Sequence, residues 1–233
     1  MPADSIKIFQ PAKIGSKDTT LRTRTLSILR NAILDGDLKA GQKLVERELC
    51  DLTGASRSIL REALARLEAT GLIENQSFRG YTVKQLSVRK IHEIFELRAS
   101  LETQAAELFT ERASEQEIEA LKAALTALEI CLLAFDSREM RSVKERYYDV
   151  LFTGCRNDEI RNALSNVIDR VYYLRSQSMS DPERRLASLA EIKKLTQALV
   201  ERDCIAARAA SLAHLQGARE AALNVITQRN QQS

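Results

Sequence analysis

Residues 28–83 read ILRNAILDGDLKAGQKLVERELCDLTGASRSILREALARLEATGLIENQSFRGYTV. Glycine punctuates this stretch, and the punctuation predicts its elements. Residues 21–35 form a helix with Leu26, Leu29, Ile33 and Leu34 on one face, and Gly36 and Gly41 bracket the turn that follows. A short helix occupies 45–53. Gly54 breaks it, Ser56 caps a helix over 57–70, and Gly71 stops that helix. Residues 72–75 and 80–85 read as two strands joined through Gln76–Gly80. The order helix, helix, turn, helix, hairpin is that of a winged helix-turn-helix.

The helix at 57–70 presents two faces. Leu60, Ala63, Leu64 and Leu67 lie on one, while Arg57, Ser58 and Arg61 point about 120° away at 100° per residue. One face packs on its domain. The other offers two guanidinium forks and a hydroxyl from the first turns, where a recognition helix meets base edges and phosphates. Arg47 on the preceding helix suits a phosphate contact, and Arg79 and Gly80 at the hairpin tip reach an adjacent groove or backbone. A solvated basic helix in an unrelated small domain would share Arg57 and Arg61, but not the ordered elements around them.

Charge follows the same division. Residues 1–86 hold 14 Lys and Arg against 10 Asp and Glu, whereas residues 87–233 hold 21 against 22. The excess positive charge lies in the first third, as expected for a nucleic-acid-binding head. After residue 86 the only breakers are Gly154, Pro182 and Gly217. Six amphipathic helices are expected there, near 88–112, 115–134, 137–154, 158–178, 182–201 and 203–228, packed as an antiparallel bundle. Ser114 with Glu117 forms a capping box, Asp181-Pro182 opens the fifth helix, and Gly154 is expected to end the third. The expected fold is thus mainly α: a loose tail at 1–18, a winged helix-turn-helix at 19–86 and a helical domain at 87–233.

Composition excludes several classes. Hydrophobic residues are 44% and charged residues 29%, an ordinary globular balance. No apolar run approaches a membrane span, and residues 1–18 contain no apolar core of signal-peptide length, so a cytoplasmic chain is expected. The four cysteines are scattered without a CxxC pair, and only His92 and His214 represent histidine. A His-rich metal site cannot be built from two imidazoles, and no cofactor motif is present. There is no nucleophile–base pair and no glycine-rich phosphate loop, which argues against an enzyme built on a helical bundle.

Arg98 lies four residues after Ile94, on or beside the buried stripe of its helix. A buried guanidinium requires an anion. Glu102, four residues on, would make a purely structural pair. A bound carboxylate or phosphate is the functional alternative. Asn166, Arg170, Tyr173 and Gln177 share one side of the fourth rear helix, where a solvated edge is equally compatible.

Residues 28–83 resemble the DNA-binding domain of the GntR family of bacterial regulators, through AIL, GDL, the ERELCDLTGASRSILREALARLEATGLI run and the RGYTV of the hairpin. The rear resembles the FCD ligand-binding domain that accompanies such a head in the FadR subfamily, and six rear helices resemble its VanR-type branch. The rear likeness is carried by EIFELRASLE, the Asn157 region and the helix from Asp203 through His214. The resemblance implies DNA contacts from Arg47, Ser56, Arg57, Ser58, Arg61, Arg79 and Gly80. It implies a homodimer on a palindromic double-stranded operator, a small carboxylate effector in the bundle, and action as a repressor. Many FCD domains hold a metal on one Asp and three His. Those positions fall on Lys144, Tyr148, Ile192 and His214, so no metal is expected. The effector would instead meet Arg98, Tyr148, Arg170, Tyr173 and His214, with Lys144 as an auxiliary cation. An architectural DNA binder without an effector is the remaining alternative, and it would have a filled bundle.

Overall fold

The computed structural model describes residues 21–76, 80–134 and 139–231. Its described residues divide into two compact units, with the boundary between Gln85 and Leu86. The expected tail at 1–18 lies outside the described residues.

The first unit is built on α1 (Leu21–Leu34), α2 (Glu46–Thr53) and α3 (Arg57–Ala69), followed by β1 (Ile73–Gln76) and β2 (Gly80–Val83). Helix α1 buries Ile28, Leu29, Ala32 and Ile33, with Leu26 only half-buried, and packs on α3. Helix α3 answers with Leu60, Ala63, Leu64 and Leu67. Each such leucine removed from water contributes about 2 kcal/mol.

The turn between α2 and α3 follows from residue chemistry. Gly54 takes φ +66°, a left-handed conformation that costs glycine no Cβ clash, and its N–H reaches the Cys50 carbonyl at 2.9 Å. Ser56 then caps α3, its Oγ accepting from the Ile59 N–H at 3.4 Å. At the far end, the Leu72 N–H donates to the Leu67 carbonyl across Gly71. Leu72 therefore closes α3, and β1 begins one residue later than expected from sequence. The two strands pair antiparallel from Ile73↔Val83 to Gln76↔Gly80, and Lys43 adds an isolated bridge to Thr82. The second strand ends at Val83 rather than at residue 85.

The second unit contains α4 (Val88–Arg112), α5 (Glu115–Ala134), α6 (Met140–Gly154), α7 (Asp158–Ser178), α8 (Pro182–Val200) and α9 (Cys204–Gln231). Helix α4 packs on α9, α8 on α9, α5 on α6 and α8, and α7 on α4 and α9. The capping box at α5 is present: the Ser114 N–H donates to Glu117 at 2.7 Å, and the Glu117 N–H returns to Ser114 Oγ. Asp181 caps α8 through the Glu183 N–H, with Pro182 in its first turn.

Gly154 ends α6 as expected, without a left-handed turn. It is the last helical residue, and the positive φ falls on Arg156. Its lack of a side chain serves packing instead. A Cβ there would stand 2.4 Å from Cε2 of the buried Phe109 ring. The core runs along α4–α6 and α8–α9 through Phe109, Leu121, Leu128, Leu151, Ile192 and Leu199.

Candidate functional sites: a DNA-reading helix and a cationic pocket

The apolar face of α3 seats it on α1, so its opposite face is open. Ser56, Arg57 and Ser58 are all exposed at its N-terminal end, and Arg47 is exposed on α2. Arg61 is exposed but engaged: its Nε lies 3.1 and 3.2 Å from the two carboxylate oxygens of Glu46. An ion pair in water is weakly held, and a phosphate or guanine edge can replace it. Gly80 takes φ +79° with open space where a Cβ would be, which suits close approach of a backbone. Arg79 lies outside the described residues.

The second unit encloses an unusual concentration of positive charge. Arg98 on α4, Lys144 on α6, Arg175 on α7 and Arg184 on α8 line one cavity, together with Ser188 and His214. Its free interior is about 20 Å³, little more than one water requires. Arg98 is 1% exposed. Its Nε donates to Glu102 at 2.6 Å and its guanidinium carbon lies 4.7 Å from the Phe95 ring centroid, but its Nη2 has no hydrogen-bond partner among the described residues. The structural pair weighed from sequence is therefore formed, and it leaves one edge of the fork unused.

Arg175 is in the same condition. Its guanidinium lies 5.6 Å from the ring centroids of Tyr148 and Tyr172, and both Nη atoms are buried without a hydrogen-bond partner among the described residues. Arg184 forks onto Glu191 at 2.7 and 2.8 Å, while its Nε has no hydrogen-bond partner among the described residues. Lys144, 1% exposed, finds only Ser188 Oγ at 3.4 Å and Met179 Sδ at 4.0 Å among the described residues. Burial, and then the charges of Arg175 and Arg184, push its pKa well below the usual lysine range.

A hydrogen-bonded chain closes the floor. Tyr148 Oη lies 2.8 Å from His214 Nε2, and His214 Nδ1 lies 2.8 Å from Glu191 Oε2. Burial lowers the His214 pKa to about 4, although Glu191 works against it. The imidazole is therefore neutral near pH 7, and its partners fix the tautomer. Nδ1–H donates to the Glu191 carboxylate, and Nε2 accepts the Tyr148 hydroxyl proton. Burial also raises the Tyr148 pKa, which keeps that proton in place. Burial alone would raise Glu191, but hydrogen bonds from Arg184 and His214 hold it at about 2.

Of the residues expected to meet an effector, Arg98 and His214 line this cavity. Tyr148 bears on it through His214. Arg170 is half-buried on α7 but does not line this cavity: α7 turns Val171, Arg175 and Ser178 toward it instead. The side chain of Tyr173 lies outside what is described. Arg175, Arg184 and Ser188 were not anticipated. The one legible signal for Arg175 was its spacing four residues after the buried Val171.

The positions that carry a metal in many FCD domains do not fit a divalent cation here. Lys144 contributes an ammonium or amine among arginines, Ile192 is wholly buried hydrocarbon, and both His214 nitrogens are already engaged. Among the described residues, no group of three His, Cys, Asp or Glu could hold a metal ion.

An exposed basic helix in a winged helix-turn-helix, joined in one chain to a helical domain, is the architecture of a DNA-binding regulator. Residues 21–83 match the bacterial regulatory proteins of the gntR family, and residues 93–217 match the FCD domain. The chain belongs to the GntR family, with an FCD domain behind its helix-turn-helix, and is a DNA-binding transcription regulator. It is 27% identical over 187 residues to the uncharacterized HTH-type transcriptional regulator YdhC of Bacillus subtilis, spanning 80% of this chain and 84% of that one. It is 28% identical over 188 residues to the Nta operon transcriptional regulator of Aminobacter aminovorans, spanning 81% and 88%. Among solved structures, Escherichia coli McbR/YncC shares the fold with a TM-score of 0.77 at 20% identity, over 93% of this chain and 100% of that one. No helix among the described residues is long and apolar enough to cross a membrane.

Proposed function

We propose that the protein is a cytoplasmic, homodimeric repressor whose affinity for a palindromic operator is set by a small carboxylate bound in the second unit. The observation that carries this reading is the buried Arg98 fork, whose Nη2 has no partner among the described residues in a cavity also lined by Arg175, Arg184 and Lys144. A structural ion pair alone gives no reason to bury a donor unsatisfied, which costs about 1–3 kcal/mol. A carboxylate oxygen supplies the acceptor.

On the DNA side, Arg57, Ser58 and Arg61 read base edges, Ser56 and Arg47 meet phosphates, and Arg79 and Gly80 extend the contact at the hairpin tip. A two-fold dimer repeats this half-site, which doubles the contacts and makes the operator palindromic. On the effector side, Arg98 holds the carboxylate and His214 with Tyr148 orders the floor. Helix α4 carries Arg98 and is the first helix after the hairpin, so a ligand that repositions Arg98 acts on the element leading to the DNA-binding unit. No catalytic step belongs to this reading.

The test is a DNA selection with the full chain, followed by binding measurements on the enriched site with carboxylic acids added. Arg98→Ala is expected to keep the DNA affinity and to lose the response to acid. An Arg98→Ala protein that still responds normally would leave Arg98 as no more than a partner of Glu102.

A further inference from the structure

Arg47, Arg57 and Arg61 are all exposed on the helix-turn-helix, but they are not held alike. The side chains of Arg47 and Arg57 form no ion pair or hydrogen bond among the described residues. Arg61 is pinned from another helix. Glu46, in the first turn of α2, reaches across to α3 and sets both carboxylate oxygens against Arg61 Nε, at 3.1 and 3.2 Å. The Arg61 side chain is nevertheless 67% exposed, against 33% for Glu46. The contact uses one of the five N–H donors of the guanidinium. Nη1 and Nη2 have no hydrogen bond among the described residues, so the end of the fork stays free. DNA therefore need not displace Glu46 to reach it.

Stability does not account for an acid at this place. A pair so exposed contributes little to folding. A negative charge favours the N-terminus of α2, but Glu48 supplies one in the same turn. On a surface that meets phosphates, a carboxylate also repels the ligand. What Glu46 contributes is geometry. An exposed arginine loses rotamer freedom when it engages a base, and one already tethered at Nε has less to lose. With Nε occupied, a side-on approach through Nε is closed, and the Nη1–Nη2 edge is the pair left for guanine O6 and N7. We propose that Glu46 is a positioning residue for base reading: it stays on Arg61 Nε in the DNA complex and fixes the Nη1–Nη2 edge on one guanine. This rests on the base-reading role of Arg61 given above and specifies it, because part of the operator discrimination then belongs to a side chain that touches no DNA.

The experiment is fluorescence anisotropy with the full-length protein on a site selected from random DNA. Each base pair of the half-site is changed in turn, and a random duplex serves as reference. Arg61→Ala first marks the base pair that Arg61 reads, by the loss of discrimination there. Glu46→Ala is expected to lose about fivefold or more of the discrimination at that same pair and to leave the other pairs unchanged. It should bind the random duplex as well as wild type or better, since a phosphate-repelling charge is gone. Glu46→Gln retains an oxygen that accepts from Nε, and should keep discrimination within about twofold of wild type. In an Arg61→Ala background, Glu46→Ala should have no further effect at any pair. If Glu46→Ala tightens the selected site with discrimination intact, the ion pair is a lock that DNA breaks. If it still loses discrimination in the absence of the Arg61 side chain, Glu46 reads a base itself. If it weakens all pairs alike and lowers the urea midpoint, Glu46 serves only the fold of α2. Each of these outcomes overturns the inference and leaves Arg61 as a reader. If Arg61→Ala changes discrimination at no base pair, the reading and the inference fall together.

Discussion

Acid titration of His214 offers a sharp physical test of the pocket. The imidazole is 2% exposed and its pKa falls from 6.5 to about 4, chiefly because burial penalises the charged ring. Between those two values the unfolded chain binds a proton that the folded chain refuses. Stability is therefore fully present above about pH 6.5, falls as pH drops through the window, and levels off below about 4. Two and a half pKa units at about 1.4 kcal/mol each make the full loss about 3.5 kcal/mol, of which about 2 kcal/mol is gone by pH 5. Glutamine can keep both partners, donating to Glu191 and accepting from Tyr148, without titrating. Urea unfolding of the full chain, followed by helical circular dichroism at pH 8 and pH 5, should show wild type losing about 2 kcal/mol more than His214→Gln. Because the chain has only two histidines, NMR can follow both rings directly, with His92→Gln to assign them. An equal pH loss in wild type and His214→Gln would refute the argument. So would a His214 midpoint at or above 6.5.

Other expectations follow from individual contacts. Arg57→Ala should weaken binding to a selected operator by roughly 5- to 100-fold and relax its sequence preference, as fluorescence anisotropy on matched and mismatched sites would reveal. Arg47→Ala should instead weaken all sequences similarly and reduce the salt dependence by about one counterion. Gly154→Ala forces a methyl against the Phe109 ring and should cost about 1–3 kcal/mol, read as a lower midpoint in urea. Lys144→Met removes a buried amine with no carboxylate partner among the described residues, and should raise stability by about 1 kcal/mol or more in the same assay.

Local chemistry explains which features were legible in the chain. Gly54, Ser56 and Gly71 each act within four residues, through a positive φ or a cap, so the helix-turn-helix could be read almost residue by residue. The hairpin began a residue late because Leu72 was claimed by the end of α3, a competition between two backbone acceptors that apolar patterning cannot rank. Gly154 ends α6 as read, but its packing role was not legible. Its neighbour Phe109 lies 45 positions away, so the packing requirement leaves no local trace. Arg98 stood beside a recognisable stripe, whereas His214 was reached through the resemblance to the FCD domain. Arg175 and Arg184 were not singled out, because only the meeting of four helices brings them to one cavity. Arg61 shows the converse: its exposure was legible, but the Glu46 carboxylate that holds it is on another helix.

The central claim is that an anion in the second unit governs DNA binding by the first. It is tested most directly by the affinity of the full chain for a site selected from random DNA, measured as succinate or malonate is titrated. The account predicts a change in DNA affinity of at least fivefold, saturating with the calorimetric affinity of the acid and absent in Arg98→Ala, whose affinity for DNA without acid is unchanged. An acid that binds the protein while leaving DNA affinity constant would contradict it, as would an equal response in Arg98→Ala.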